Sequence, residues 1–328
     1  MKCINKMKLL CFVGIAAVFM SGCGEKEVVY DNPYDVYQTT ADWGMASAME
    51  GSQKSYFSAD LCVTDDTDIG TESTDSQVAE GAGVFNLATN TVTYAQNIYE
   101  KLYPASTTKI LTAYIALKYG NLDDMVTVSE NAARQASDSS VCDLRAGDVI
   151  SLRDLLYGMM LKSGNDAAIA IAEHMAGSTD AFADMMNTEA NAMGATRSHF
   201  VNPNGLPDEN HYTSVYDLYL IMQNAVQNQT FVDIISTLDY DASYTDANGN
   251  SVQKTWSNTN RYLLGKTTAP EGITVVGGKT GTTGAAGYCL VLYSYNASNQ
   301  PVISIVLKSG GRSDLYLLMN EMLSGFAN

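Results

Sequence analysis

Apolar positions fall into blocks along the chain, and the period of the blocks changes in order. Leu9 to Met20 is an apolar run of twelve residues behind three lysines, Lys2, Lys6 and Lys8. Twelve is too short to span a bilayer and suits the apolar core of a secretory signal. Residues 25–54 are polar, mixed and without period, and read as a tether. Residues 82–87 and 91–94 are β-prone and flank Ala88-Thr89-Asn90, a composition suited to a hairpin turn. From 106 to 119 the spacing turns helical through Ile110, Leu111, Tyr114, Ile115 and Leu117, and it stops at Gly120. The same period predicts helices over 152–161, 166–175, 179–193 and 214–226, with Ser163-Gly164-Asn165 between the first two. Further on, 273–276, 288–295 and 302–307 read as strands joined by Gly- and Asn-rich turns, and 315–323 as a closing helix. Strands at both ends of a helical middle predict an α+β fold whose largely antiparallel sheet is completed by both ends of the chain.

Composition narrows the function classes. The 328 residues are 46% hydrophobic and 17% charged, a globular profile. Nineteen basic against thirty-six acidic residues give −17, which argues against nucleic acid as a partner. His174, His199 and His211 share no metal-like spacing, and CxxC, HExxH and GxGxxG patterns are absent, so neither a metal nor a nucleotide cofactor is expected. His199 and His211 read as structural and His174 as solvent-facing. Residues 60–80 hold seven carboxylates and no basic side chain. A calcium loop counted from Asp65 fails, with Ile69 at its fifth position and Ser76 at its twelfth, so a solvated acidic loop is expected.

Met20-Ser21-Gly22-Cys23 resembles a bacterial lipoprotein cleavage site, with methionine where leucine is usual. The resemblance implies that residues 1–22 are removed and that Cys23 carries lipid. That step takes away three lysines and no acid, moving the net charge from −17 to −20. Two or more acyl chains would give a stable membrane anchor. Cys62, Cys142 and Cys289 remain, at spacings that define no disulfide framework.

Three short motifs carry chemistry. In Pro104-Ala105-Ser106-Thr107-Thr108-Lys109, proline disfavours helix at Ala105, so a helix can start near Ser106, with Lys109 one turn on. An unprotonated lysine can take the proton of such a serine and so activate it toward a carbonyl. That requires burial or a second cation to lower its pKa. In Ser163-Gly164-Asn165, a hydroxyl suits proton relay and an amide suits a substrate amide. In Gly278-Lys279-Thr280-Gly281-Thr282, lysine and threonine on an edge strand can hold a carboxylate while glycine admits a substrate backbone. Each motif alone is weak.

Together, S-x-x-K, S-G-N and K-T-G in this order resemble the serine D-alanyl-D-alanine carboxypeptidases, the low-molecular-mass penicillin-binding proteins. The resemblance runs from about residue 81 to 323 and includes Phe200-Val201-Asn202-Pro203-Asn204-Gly205-Leu206. It implies a β-lactamase/transpeptidase-like fold, an antiparallel sheet flanked by helices plus an all-helical subdomain, spanning residues 56–328 after a 23–55 tether. It implies Ser106 as nucleophile, Lys109 as its base and Ser163 as relay. Asn165 would bind a substrate amide, and Lys279, Thr280, Gly281 and Arg261 the substrate's terminal carboxylate end. Backbone N–H groups of Ser106 and Thr282 would form the oxyanion hole. The implied partners are peptidoglycan stem peptides, with β-lactams as inhibitors, outside the cytoplasm at a membrane. Many family members carry a further C-terminal β-rich domain and an amphipathic anchor; here the sequence ends at Asn328, after the expected closing helix. Three alternatives stay open: a β-lactamase, although no E-x-x-L-N follows Asn165; a D,D-endopeptidase using the same residues; and a non-catalytic wall-peptide or β-lactam sensor.

Overall fold

The computed structural model describes residues 59–327. The leader, the tether and Cys23 lie outside them.

The main sheet has five antiparallel strands in the order β2-β1-β9-β8-β7: β1 (Gly81–Asn86), β2 (Thr91–Gln96), β7 (Thr274–Thr283), β8 (Gly287–Tyr295) and β9 (Pro301–Ser309). Both ends of the described chain supply strands, as the pattern predicts. The sheet is covered on both faces, and β9 shows how. Its Val302 and Val306 pack with one buried cluster, while Ile303, Ile305 and Leu307 pack with the other. The first cluster is roofed by the C-terminal helix, through Leu315, Leu318, Met319, Met322 and Leu323. Alternation of period two thus feeds two cores from one strand.

The second core is the helical half. Helix α1 (Lys109–Tyr119) runs through it, with seven of its eleven residues buried. Around it lie α2 (Glu130–Ala133), α3 (Leu152–Tyr157), α4 (Asn165–Ala176), α5 (Thr179–Ala192), α6 (Val215–Ala225) and α7 (Gln229–Ser236); α8 (Arg312–Phe326) closes the chain. Helix α3 runs on into a π-helical turn, Gly158–Lys162. Ser151, Ser178 and Ser214 cap α3, α5 and α6 by accepting a backbone N–H three residues on.

The helical subdomain is not purely helical. Strands β3 (Met125–Thr127), β4 (Val149–Ser151), β5 (Asp239–Thr245) and β6 (Ser251–Ser257) form a second antiparallel sheet. Of the fourteen residues of β5 and β6, only Ala242, Tyr244 and Trp256 are buried, so the hairpin lacks an apolar signature.

The acidic segment is strapped to the fold. Cys62 N–H donates to Tyr219 Oη at 2.8 Å, and Tyr216 and Tyr99 hydroxyls donate to the carbonyls of Cys62 and Thr64 at 2.9 and 2.7 Å. Ile69 pairs with Ala95 at the edge of β2, and Gln96 Nε2 donates to the carbonyls of Ser76 and Ala79, both at 2.8 Å. Backbone and apolar contacts hold this segment while its carboxylates stay largely in water. Cys62, Cys142 and Cys289 are free thiols, all buried. Among the described residues, no helix is long and apolar enough to cross a membrane.

Candidate active site

The S-x-x-K motif sits on a strained turn. Ala105–Thr108 form one 3-10 turn, and α1 begins only at Lys109 rather than at Ser106. Ala105, buried to 1% exposure, has φ +48°, a left-handed conformation that costs a non-glycine residue about 1–3 kcal/mol. This kink precedes Ser106 and turns it toward a cleft of about 900 Å³ between the sheet and the helical half.

Lys109 is completely buried, and its Nζ contacts three oxygens: Ser106 Oγ at 3.0 Å, Asn165 Oδ1 at 2.7 Å and Asn204 O at 2.8 Å. None is a carboxylate. Burial first, and the nearby Lys279 charge second, hold its pKa well below the ordinary lysine value. A neutral amine has two hydrogens and one lone pair. Asn165 Oδ1 and Asn204 O can only accept, so they take both hydrogens, and the lone pair is left facing Ser106 Oγ.

Ser163 follows the π-helical turn with φ +63°, which aims its hydroxyl at the neighbouring strand. Lys279 Nζ donates to Ser163 Oγ at 3.0 Å and to Thr280 O at 2.9 Å. Burial lowers its pKa to about 7. Strand β7 is the sheet edge, so the K-T-G motif lies on an edge strand as expected. Thr280 Oγ1 is 2.7 Å from Thr259 Oγ1. A Cβ built on Gly281 would lie 3.0 Å from Ser106 N and 3.1 Å from Pro104 O, so only glycine fits this approach without displacement. Gly164 is equally constrained: a Cβ there would sit 2.4 Å from Cys142 Sγ.

Nine site residues were expected, and the fold gathers them. Ser106, Ser163, Thr280, Gly281, Thr282 and Arg261 line the cleft, while Lys109, Asn165 and Lys279 stand behind its wall. Arg261 is half-buried rather than a free surface arginine: its backbone N–H donates to Tyr316 Oη at 3.1 Å and its Nη2 to Lys266 O at 3.2 Å. His174 is exposed, as the solvent-facing reading has it, and its Nε2 lies 3.1 Å from Asp124 Oδ2 at the surface.

Sequence reasoning gave no role to three groups near the site. Asn204, through its carbonyl, supplies the third contact of Lys109. Arg312, the first residue of α8, also lines the cleft and stacks over Tyr288. Asp166 is 1% exposed and accepts backbone N–H groups of Cys142, Leu144 and Ala167 at 2.9–3.0 Å, pinning the loop whose Ser139, Ser140 and Val141 form the cleft rim. Asn204 acts through a main-chain atom, which no residue pattern reveals. Arg312 stands 33 residues beyond Lys279 in sequence.

A lysine-paired serine, a second serine on a second lysine and an edge-strand K-T-G motif in one cleft define the penicillin-binding serine peptidase architecture. The D-alanyl-D-alanine carboxypeptidase family model matches residues 69–311, and the chain belongs to that family. It is 33% identical over 252 residues to the D-alanyl-D-alanine carboxypeptidase DacF of Bacillus subtilis, covering 75% of this chain and 61% of that protein. It is 35% identical to DacA of Haemophilus influenzae, covering 65% of this chain and 52% of that one. The chain thus spans little more than half the length of these curated relatives. The D-alanyl-D-alanine carboxypeptidase of Streptomyces strain K15 is 33% identical over 264 residues, 76% of this chain and 87% of that one. The crystal structure of the Streptomyces K15 DD-transpeptidase superposes with a TM-score of 0.67 at 32% identity, covering 79% of this chain and 98% of that one.

Proposed function

We propose that this protein is a serine D,D-carboxypeptidase that removes the terminal D-alanine from peptidoglycan stem pentapeptides through an acyl-enzyme, and that β-lactams acylate the same serine. The observation that carries the reading is the buried Lys109, whose Nζ has no carboxylate partner and lies 3.0 Å from Ser106 Oγ.

Lys109 takes the Ser106 proton as Oγ attacks the penultimate D-alanine carbonyl. The N–H groups of Ser106 and Thr282 receive the oxyanion, and each such donor is worth about 3 kcal/mol in the transition state. Lys279 and Thr280 hold the terminal carboxylate, and Arg261 and Arg312 add positive charge to the lining of the same cleft. The proton returns through Lys109 and Ser163 to the leaving D-alanine amine. Water, deprotonated by Lys109, then hydrolyses the ester and regenerates Ser106. Asn165 both accepts from Lys109 and offers its amide to the substrate backbone.

The site is tested by mass spectrometry of the penicillin-treated chain. A single adduct on Ser106, absent from Ser106→Ala, is expected; an adduct persisting in that variant overturns the assignment. One further observation favours a second reading. The Streptomyces K15 relative is named both a D-alanyl-D-alanine carboxypeptidase and a DD-transpeptidase, so the acyl group here could pass to an amine instead of water. Adding glycyl acceptors and analysing products decides between them.

The lipid anchor at Cys23, and an extracytoplasmic place on the membrane, form part of the same proposal and rest on the sequence alone. Incorporation of labelled palmitate that is lost in Cys23→Ala would support it, and equal incorporation in both would refute it.

A further inference from the structure

His211 lies 105 residues beyond the nucleophile and touches none of the motif residues that carry the chemistry, yet it is wired to the turn that carries Ser106. Its side chain is fully buried. Val201 N–H donates to its Nδ1 at 3.1 Å. Because Nδ1 accepts, the hydrogen of the neutral ring sits on Nε2, and burial, which pulls this group down to about 4, keeps the ring neutral. Nε2–H therefore donates to Thr108 Oγ1 at 2.9 Å. That leaves the Thr108 hydroxyl hydrogen free to donate to Ala105 O, also at 2.9 Å. Ala105 is the left-handed residue immediately before Ser106.

The same carbonyl is braced from another side. Gly205 has φ +85°, and a Cβ on it would stand 1.8 Å from Ala105 O. Its neighbour Asn204 supplies the carbonyl that takes a Lys109 hydrogen. Thr112 Oγ1 donates to Pro203 O at 2.7 Å, fastening the loop to α1. One loop, 201–211, thus bears on the nucleophile's backbone and on its base together.

From this relay we infer that His211 is a positioning residue: acting through Thr108, it fixes the Ala105 carbonyl and with it the strained peptide that aims Ser106 Oγ and its backbone N–H. The inference rests on the acyl-enzyme reading above. A hydrogen-bond relay into a left-handed residue restrains one dihedral pair. Relaxing it lets Ala105 fall back to an ordinary φ and swings Ser106 away from Lys109.

Saturable acylation of the full-length chain by a fluorescent penicillin separates the non-covalent Kd from the limiting acylation rate. Thr108→Val is nearly isosteric and removes only the relay hydroxyl; His211→Leu removes the relay's origin. Each is expected to lower the limiting rate about 10- to 100-fold, the scale of an ångström of misplacement, with Kd changed by no more than about twofold. Side-chain reach supplies the discriminating readout. The amide of His211→Gln extends to the Nε2 position and can donate to Thr108, whereas His211→Asn reaches only the Nδ1 position. Glutamine is therefore expected to recover most of the limiting rate and asparagine little, whatever their order of melting temperature. Should His211→Leu fail to fold, Thr108→Val carries the test. Variants as fast as a normally acylated wild type, or glutamine no better than asparagine, overturn the inference alone. A wild type that is never acylated overturns the proposed function and this inference with it.

Discussion

Replacing Lys279 with methionine should make the protein more stable and chemically inert. Lys279 is 1% exposed, and its Nζ bonds only to Ser163 Oγ and Thr280 O, with no carboxylate to offset its charge. Burial takes its pKa from 10.5 to about 7. Below pH 7 the folded and unfolded chains both hold this proton, and the folded state bears the whole cost of a buried ammonium. That depression corresponds to about 5 kcal/mol. Methionine forgoes two hydrogen bonds of about 1 kcal/mol each, so the net gain is about 2–3 kcal/mol. For a chain of this size that raises Tm by about 4–6 °C near pH 6. Between pH 7 and 10.5 the folded lysine has shed its proton while the unfolded one still holds it. Wild-type stability therefore climbs with pH across that window, and the gap between the two proteins closes at about pH 9 and reverses above it. Circular dichroism melts of both full-length proteins from pH 5.5 to 10, with penicillin labelling alongside, check this. A variant that melts lower than wild type at pH 6, or a gap independent of pH, would refute the argument that function here is sustained by an unstable buried charge.

Acylation should follow a bell-shaped pH profile: it falls as acid protonates Lys109, and above about pH 7 the emptying charge on Lys279 weakens carboxylate binding, seen as a rising KM in steady-state assays. Gly164→Ala should cost about 1–3 kcal/mol by overpacking against Cys142 Sγ, and Cys142→Ala should recover part of that, which a double-mutant cycle in urea would measure. Tyr219→Phe strands the Cys62 N–H at the strap and should cost about 1–2 kcal/mol without changing the acylation rate. The thiols of Cys62, Cys142 and Cys289 are buried, with pKa values raised by desolvation, so a thiol reagent should spare them until denaturant is added.

Much of this fold was legible because its periods are strong. The helical stripe from Ile110 to Leu117 and the apolar run 302–307 of β9 reflect surfaces that are truly buried. The β5–β6 hairpin was not legible, since its polar sequence faces water on most positions and is held by backbone pairing from Asp239↔Ser257 to Thr245↔Ser251. Strand β7 runs on through Gly277 to Thr283, a glycine-rich stretch that propensity alone reads as a turn. The three motifs were legible as residue types in order. Their supports were not: Asn204 contributes a carbonyl, Gly205 a missing Cβ, and His211 a contact on Thr108, each set by tertiary packing.

The central claim is that Ser106, activated by Lys109, cleaves the terminal D-alanine from a stem-peptide end. The most direct measurement is D-alanine released by the full-length chain from a diacyl-L-Lys-D-Ala-D-Ala peptide, with Ser106→Ala in parallel. The account predicts steady release of one D-alanine per peptide by the wild type and none by the variant. Equal release by both proteins, or none by a wild type that penicillin still acylates at Ser106, would contradict it.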